Sequence, residues 1–298
     1  MQSHAGHPRC HSQYAPPPQE GMARDGSLAA KAYPQATRTT VHVDSRDRDF
    51  ALHPDSSSFV IRLPEALKNV SSAVLVTAEL PLTYYVFSAA RGNTSLAVTV
   101  GATTATATIP DGNYTAAAMA EALQAALRAA FGGDAGISVT IDAVGQKCTV
   151  SHQSSNVRVE AAAAGAKNTD WGLGYHLGFP RGGTAGGTAS ATGTTVALLN
   201  PENYVLLDVA ELNSVKQGAM YSAGGIGAQT FAKIPLNGNS YDYNFYDKAV
   251  TYVEQRPQLA RVDRLTVSLR FHDGTLVDLN GGEWSFSVEF ACTLARGA

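Results

Sequence analysis

The 298-residue sequence predicts an all-β sandwich interrupted by a small α+β module, and three observations carry that reading. In the C-terminal part, Leu265, Val267, Leu269 and Phe271 alternate with Thr266, Ser268 and Arg270. Trp284, Phe286, Val288 and Phe290 do the same with Ser285, Ser287 and Glu289. Two-residue periodicity of this kind marks strands with one face buried. The runs Ala73–Leu80 and Tyr204–Leu212 are apolar at nearly every residue, as strands covered on both faces are. Between these blocks lies one stretch with helical periodicity.

Residues 1–38 are rich in Pro, Gln, Ser, Gly and His around Pro16-Pro17-Pro18. Such a segment buries too little apolar surface to offset its ordering entropy and is expected to be a free arm. Val41 and Val43, then Phe59, Ile61 and Leu63, begin the strands, and Pro64 and Pro81 are expected to end two of them. Ser95–Val100 with Ala105–Ile109 predicts a hairpin. Thr115 then caps a helix whose Met119, Leu123 and Leu127 form one apolar stripe closed by Gly132-Gly133. Ile137–Ile141 with Cys148–Ser151 predicts a second hairpin, and Gly182–Thr195 a flexible loop or linker. Strands resume at Tyr204–Leu212, Phe231–Leu236 and Ala249–Glu254. Asp273-Gly274 is a hairpin signal between the last two alternating runs. Thr39–Leu80 offers too few strands to bury its own apolar faces, so the expected organisation is insertional. Segments 39–87 and 201–298 form one β domain, and 88–200 is the inserted module.

Apolar residues make up 44% and charged residues 16%, with a net charge of −3, so disorder and a global attraction to nucleic acid are excluded. The few charges suit a protein packed against neighbours. Cys10, Cys148 and Cys292 are odd in number and scattered, which points to a reducing compartment and no disulfide framework. No export signal or membrane span is read, so the sequons at Asn69, Asn93 and Asn113 are taken as chance matches.

Several phrases in order suggest a family. They are VDSRDRDF (Val43–Phe50), SSSFVIRLPEALKNVSSAVLVTAELPLTYYVFS (Ser56–Ser88), IPDGNYTAAAMAEALQAAL (Ile109–Leu127) and LGYHLGF (Leu173–Phe179). NYVLLDVAEL (Asn203–Leu212), FAKIPLN (Phe231–Asn237) and LTVSLRFHDGTLVDLNGGEWSFSVEF (Leu265–Phe290) follow. The series resembles minor capsid and penton-type proteins of nucleocytoplasmic large DNA viruses, the chlorella viruses and their giant relatives. The resemblance implies a single jelly-roll β-sandwich with an insertion, in the virion, assembled in the host cytoplasm. It implies as partners the major capsid protein and neighbouring minor capsid subunits, and a homo-oligomer, pentameric if a penton.

Chemistry-bearing residues are sparse. Asp44, Asp47 and Asp49 alternate with Arg46 and Arg48 just before a core strand. They read as a turn with capping aspartates or as a subunit contact, because the spacing and distal Glu of a calcium loop are missing. His4, His7, Cys10 and His11 have zinc-like spacing but no second cluster. No nucleophile motif, phosphate loop or basic patch is present. No catalytic residue, metal or cofactor is therefore expected, nor is nucleic-acid binding or membrane insertion. Trp284 points inward by alternation. Tyr241, Tyr243, Phe245 and Tyr246 fall in an apparent loop, where clustered aromatics serve first as an interface anchor and second as a sugar-stacking platform. The expected interface residues are thus Asp44, Arg46, Asp47, Arg48, Tyr241, Tyr243, Phe245 and Tyr246.

Overall fold

In the computed structural model, two very long strands organise the chain. The structure describes residues 36–160, 172–180, 183–184, 188–200, 202–212, 219–221, 227–247, 252–272 and 274–293. The arm's residues 1–35 lie outside this set, as do His4, His7, Cys10 and His11; Ala36–Arg38, assigned to the arm by sequence, belong to the first strand.

β1 (Ala36–Asp44) pairs with β15 (Ser285–Thr293), and β15 pairs with β2 (Ser58–Pro81). The second half of β2 also pairs with β13 (Tyr243–Tyr246) and with the start of β14 (Tyr252–Arg270). The first half of β2 pairs with the second half of β14, which pairs with β9 (Tyr204–Val209), which pairs with β12 (Ala232–Pro235). All these pairings are antiparallel. The seven strands therefore resolve into two halves, β1-β15-β2-β13 and β2-β14-β9-β12. These are the two interleaved sheets of a jelly roll, with β2 and β14 each serving both.

Two local devices let one 24-residue strand turn the corner. Asn69 adopts φ +51°, a left-handed conformation that Asn tolerates better than most residues. Leu63–Ala66 fall in a register shift against β14, between the pairs Arg62↔Arg264 and Leu67↔Val262. Pro64 sits in that bulge inside β2, not at a strand end, because an unpaired bulge needs no N–H from it. Inside the roll, Phe59, Leu75, Phe286 and Phe290 are buried. Trp284 stacks on Phe286 at 5.2 Å, meets Phe59 edge-on at 6.1 Å, and donates its indole N–H to Ser56 O at 2.7 Å.

The predicted turn at Gly274 forms, with φ +87° and its N–H donated to Phe271 O. The predicted hairpin runs past it for one bridge, Arg270↔Leu276, with Val277 N–H donated to Leu269 O at 3.0 Å, and does not reach β15. The sides of β14 are taken by β2 and β9, so β15 crosses to the other sheet.

Between β2 and β9 the chain builds two small sheets of its own. β3 (Ser95–Val100) pairs with β4 (Thr103–Thr108) and β7 (Val157–Val159). β5 (Ile137–Ile141) pairs with β6 (Cys148–His152), and β6 with β8 (Ser190–Thr192). α1 (Ala116–Ala130) carries Thr115 as its N-cap and buries Met119, Leu123 and Leu127. α2 (Leu173–His176) is a single turn that sequence periodicity is too short to reveal. β8 corrects the reading of Gly182–Thr195 as loop. Its strand signal is hidden because Ala191 is the one apolar side chain it buries. Backbone packs tightly nearby, since a Cβ on Gly178 would lie 2.2 Å from Thr195 O. A short β10 (Ala219–Tyr221) and β11 (Gly227–Gln229) form a separate hairpin.

Arg91 couples the module to the roll. It pairs with Glu202, donates to Val86 O at 2.9 Å and lies 4.4 Å over the Phe271 ring. Asn93 and Asn113, two of the sequon positions, are spent on the backbone here: Asn93 Oδ1 accepts from Ser88 N and Asn113 Oδ1 from Val86 N. Cys148 is buried in β6, and burial pushes its thiol up to about 12. Native protein treated with a thiol reagent at pH 8 is expected to leave Cys148 unlabelled, and denaturant should expose it. Peptide mass spectrometry reads both states.

Candidate functional site

The outer face of the β1-β15-β2-β13 sheet gathers most of the residues that sequence singled out. Cross-strand pairing aligns Asp44 with Ser285, Ser285 with Glu79, and Glu79 with Phe245, a single rung across four strands. The next rung carries His42, Ser287 and Thr77. Directly opposed residues share a face, and hydrogen bonds tie these together. Ser285 Oγ donates to Glu79 Oε2 at 2.8 Å, Thr77 Oγ1 to Ser287 Oγ at 3.1 Å, and His42 Nδ1 lies 2.8 Å from Ser287 Oγ. The rungs floor a depression of about 560 Å³.

One end of this face is the turn after β1. Asp44 has extended backbone and caps the single 3-10 turn Ser45–Asp47, accepting from Arg46 N at 2.9 Å. Its carboxylate also takes the Arg46 guanidinium, with Nη2 at 2.5 Å from Oδ2. That hydrogen bond holds the Asp44 carboxyl below the usual range, the opposite of what a general acid requires. Arg46 and Asp47 are exposed.

The other end is β13. Its alternation sends Tyr243 and Phe245 outward, 63% and 72% exposed, with ring centroids 6.2 Å apart and planes 24° from parallel. Asn244 faces inward, accepting from Asn237 N and donating to Pro235 O. Tyr241 reaches the same end from a turn with φ +72°. Its N–H is donated to Leu82 O at 2.7 Å, and its side chain is exposed.

Two expected interface residues are instead inside. Arg48 is 7% exposed. It donates to Glu283 Oε2 at 2.6 Å, Ser45 O at 2.7 Å, His53 O at 2.9 Å and Pro54 O at 3.0 Å. Tyr246 is 8% exposed, because β13 is a strand and alternation puts it on the face opposite Phe245. Glu79, Thr77, Ser285 and Ser287 are the face's unforeseen members. Glu79 and Thr77 sit in a run apolar enough to read as covered on both sides, and only strand pairing reveals the exposed face.

Arg48 has a pH-dependent partner. Burial raises the Glu283 carboxyl, but hydrogen bonds from Arg48 and Ser45 and the Arg48 charge outweigh it, leaving a net lowering. Stabilisation from a lowered carboxyl is complete above its unfolded value and lost as pH falls through the folded value. Thermal melts from pH 6 down to pH 3 are expected to show Glu283→Gln less stable than the parent at pH 6. The gap should narrow toward pH 3; a constant gap would sink the linkage.

Among the described residues, no cluster of three or more His, Cys, Asp or Glu is arranged to hold a metal, and no helix is long and apolar enough to cross a membrane.

The pairing defines the class, a jelly roll with an α+β insertion. A family model described as a family of unknown function (DUF5901) matches residues 33–174, just under half of the chain. Among solved structures the chain is similar to the crystal structure of the selenomethionine-labelled mavirus penton protein, at 12% identity and a TM-score of 0.42, covering 86% of this chain and 99% of that one. No curated protein matches the chain.

Proposed function

We propose that this chain is a structural capsid protein of a large icosahedral double-stranded DNA virus, a penton or another minor capsid component, acting through subunit contacts and not catalysis. The observation that carries the reading is a jelly roll whose β1-β15-β2-β13 sheet, among the described residues, has unpaired edges at β1 and β13 and exposed aromatics on β13. A stiff sandwich fixes the positions of its edges and loops, while an insertion between strands supplies a second contact surface without disturbing the core. The ordered sequence phrases resembling large-virus minor capsid proteins add the viral setting. Partners on this reading are the major capsid protein and neighbouring minor capsid subunits, and the location is the virion. Asp44, Arg46, Asp47, Tyr241, Tyr243 and Phe245 are the contact residues. A density map of virions is the test, and a jelly roll with this insertion at a defined symmetry position is the expected result. Absence of the chain from purified particles would overturn the role.

One observation favours a second reading, a carbohydrate-binding sandwich on the virion. The Tyr243 and Phe245 rings are exposed and stacked near-parallel on the strand paired with Glu79, and aromatic faces with adjacent polar groups suit sugar rings. Glycan-array binding by the purified chain, abolished in Tyr243→Ala, would establish it.

A further inference from the structure

We infer that copies of this chain associate head to tail, the β13 edge of one copy against the β1 edge of the next. The inference rests on the capsid reading and specifies the contact.

Both edges are open, since among the described residues β1 pairs only with β15 and β13 only with β2. Open edges expose unpaired N–H and C=O groups, and natural proteins blunt them with Lys, Pro, bulges or shortness. The β12 edge of the other sheet is treated that way: it has four residues, Lys233 and Pro235 among them. β1 is not. It runs nine residues, ATRTTVHVD, without Lys or Pro, and its register with β15 is unbroken from Ala36↔Thr293 to Asp44↔Ser285. Ser45 N donates to Trp284 O and sets the phase of that ladder. By antiparallel alternation, Arg38, Thr40, His42 and Asp44 then direct their backbone groups to the open edge.

Strand parity selects the partner edge. Each neighbouring pair in β1-β15-β2-β13 is antiparallel, so β13 runs opposite to β1. A second copy rotated about an axis along the strands therefore brings its β1 alongside β13 in antiparallel sense, with the same face outward. The rung Asp44-Ser285-Glu79-Phe245 places the two ends at one level of the sheet. The neighbour's Arg46, whose side chain is 73% exposed, thus meets Tyr243 and Phe245 as a cation meets aromatic faces. Asp47 offers an acceptor to the tyrosine hydroxyls. A self-paired two-fold contact would instead set each end against its own kind. A heterologous contact of this type closes a ring when the rotation divides the circle.

Complementary variants test it by sedimentation velocity on the full chain. Tyr243→Ser with Phe245→Ser disables the β13 edge. Thr40→Pro disables the β1 edge without removing a bond to β15. Arg46→Glu is a gentler variant of the same edge should the proline one fail to fold, as circular dichroism will show. The parent chain is expected to form closed oligomers, and each variant alone to associate at least about tenfold more weakly. An equimolar mixture of the two edge variants should yield a heterodimer and nothing larger. A monomeric parent, a variant that assembles like the parent, or a mixture without heterodimer overturns the inference. Rings in solution from a chain absent from virions would sink the capsid role and leave this contact standing. A chain present in virions whose edge variants assemble normally would do the reverse.

Discussion

Trp284→Ala is expected to lower the unfolding free energy by about 4 kcal/mol, with a fall in melting temperature on the order of 10 °C. The indole is buried, stacked on Phe286 at 5.2 Å and edge-on to Phe59 at 6.1 Å. Truncation leaves a cavity between the first residues of β2 and of β15, where neither strand can collapse without losing its ladder. It also orphans Ser56 O, which accepts the indole N–H at 2.7 Å. Trp284→Phe separates the two terms, because it refills most of the volume and still lacks the donor. That variant should lose about 1–2 kcal/mol, the cost of a buried unpaired carbonyl. Urea denaturation of the three proteins measures both. A Phe variant as unstable as the Ala variant would mean that the hydrogen bond, not the packing, dominates.

Arg48→Ala should cost about 3 kcal/mol, toward the lower end for a broken buried pair because Glu283 keeps some solvent contact. The guanidinium pins three carbonyls of the segment from Ser45 to Pro54 and reaches across to Glu283, which also accepts from Ser45 Oγ at 2.5 Å. Losing it frees the loop that follows β1 and leaves a carboxylate without its cation. Arg48→Lys should recover less than half of the loss, since an ammonium cannot span the fork of acceptors. In a double-mutant cycle with Glu283→Gln the two changes should be clearly less than additive. Full additivity would show that Arg48 acts through packing under Phe50, whose ring lies 4.2 Å away.

Arg48 and Tyr246 also mark where reading along the chain runs out. In the sequence, Arg48 is one of five clustered charges between Asp44 and Asp49, with nothing to separate it from Arg46. Burial comes from Glu283, whose contact with Ser45 spans 238 positions. Tyr246 looked equivalent to Phe245 for a similar reason. Once the segment is a strand, adjacent residues take opposite faces, but a short aromatic-rich stretch does not announce itself as one.

What the sequence determined by itself is local. Alternation placed Trp284 and its neighbours inward. Thr115 with the stripe Met119, Leu123 and Leu127 set the long helix, and Asp273-Gly274 marked a turn. Each depends on periods of two or about four residues, which a short window contains. Tertiary structure decided the partners. It sent β15 away from β14 because that strand's sides were already filled. It split β2 between two sheets at Asn69, and it brought Asp44 and Phe245 to the ends of one rung. Alternation says that a strand has two faces; which of them is wet and which edge stays open depend on strands joined across most of the chain.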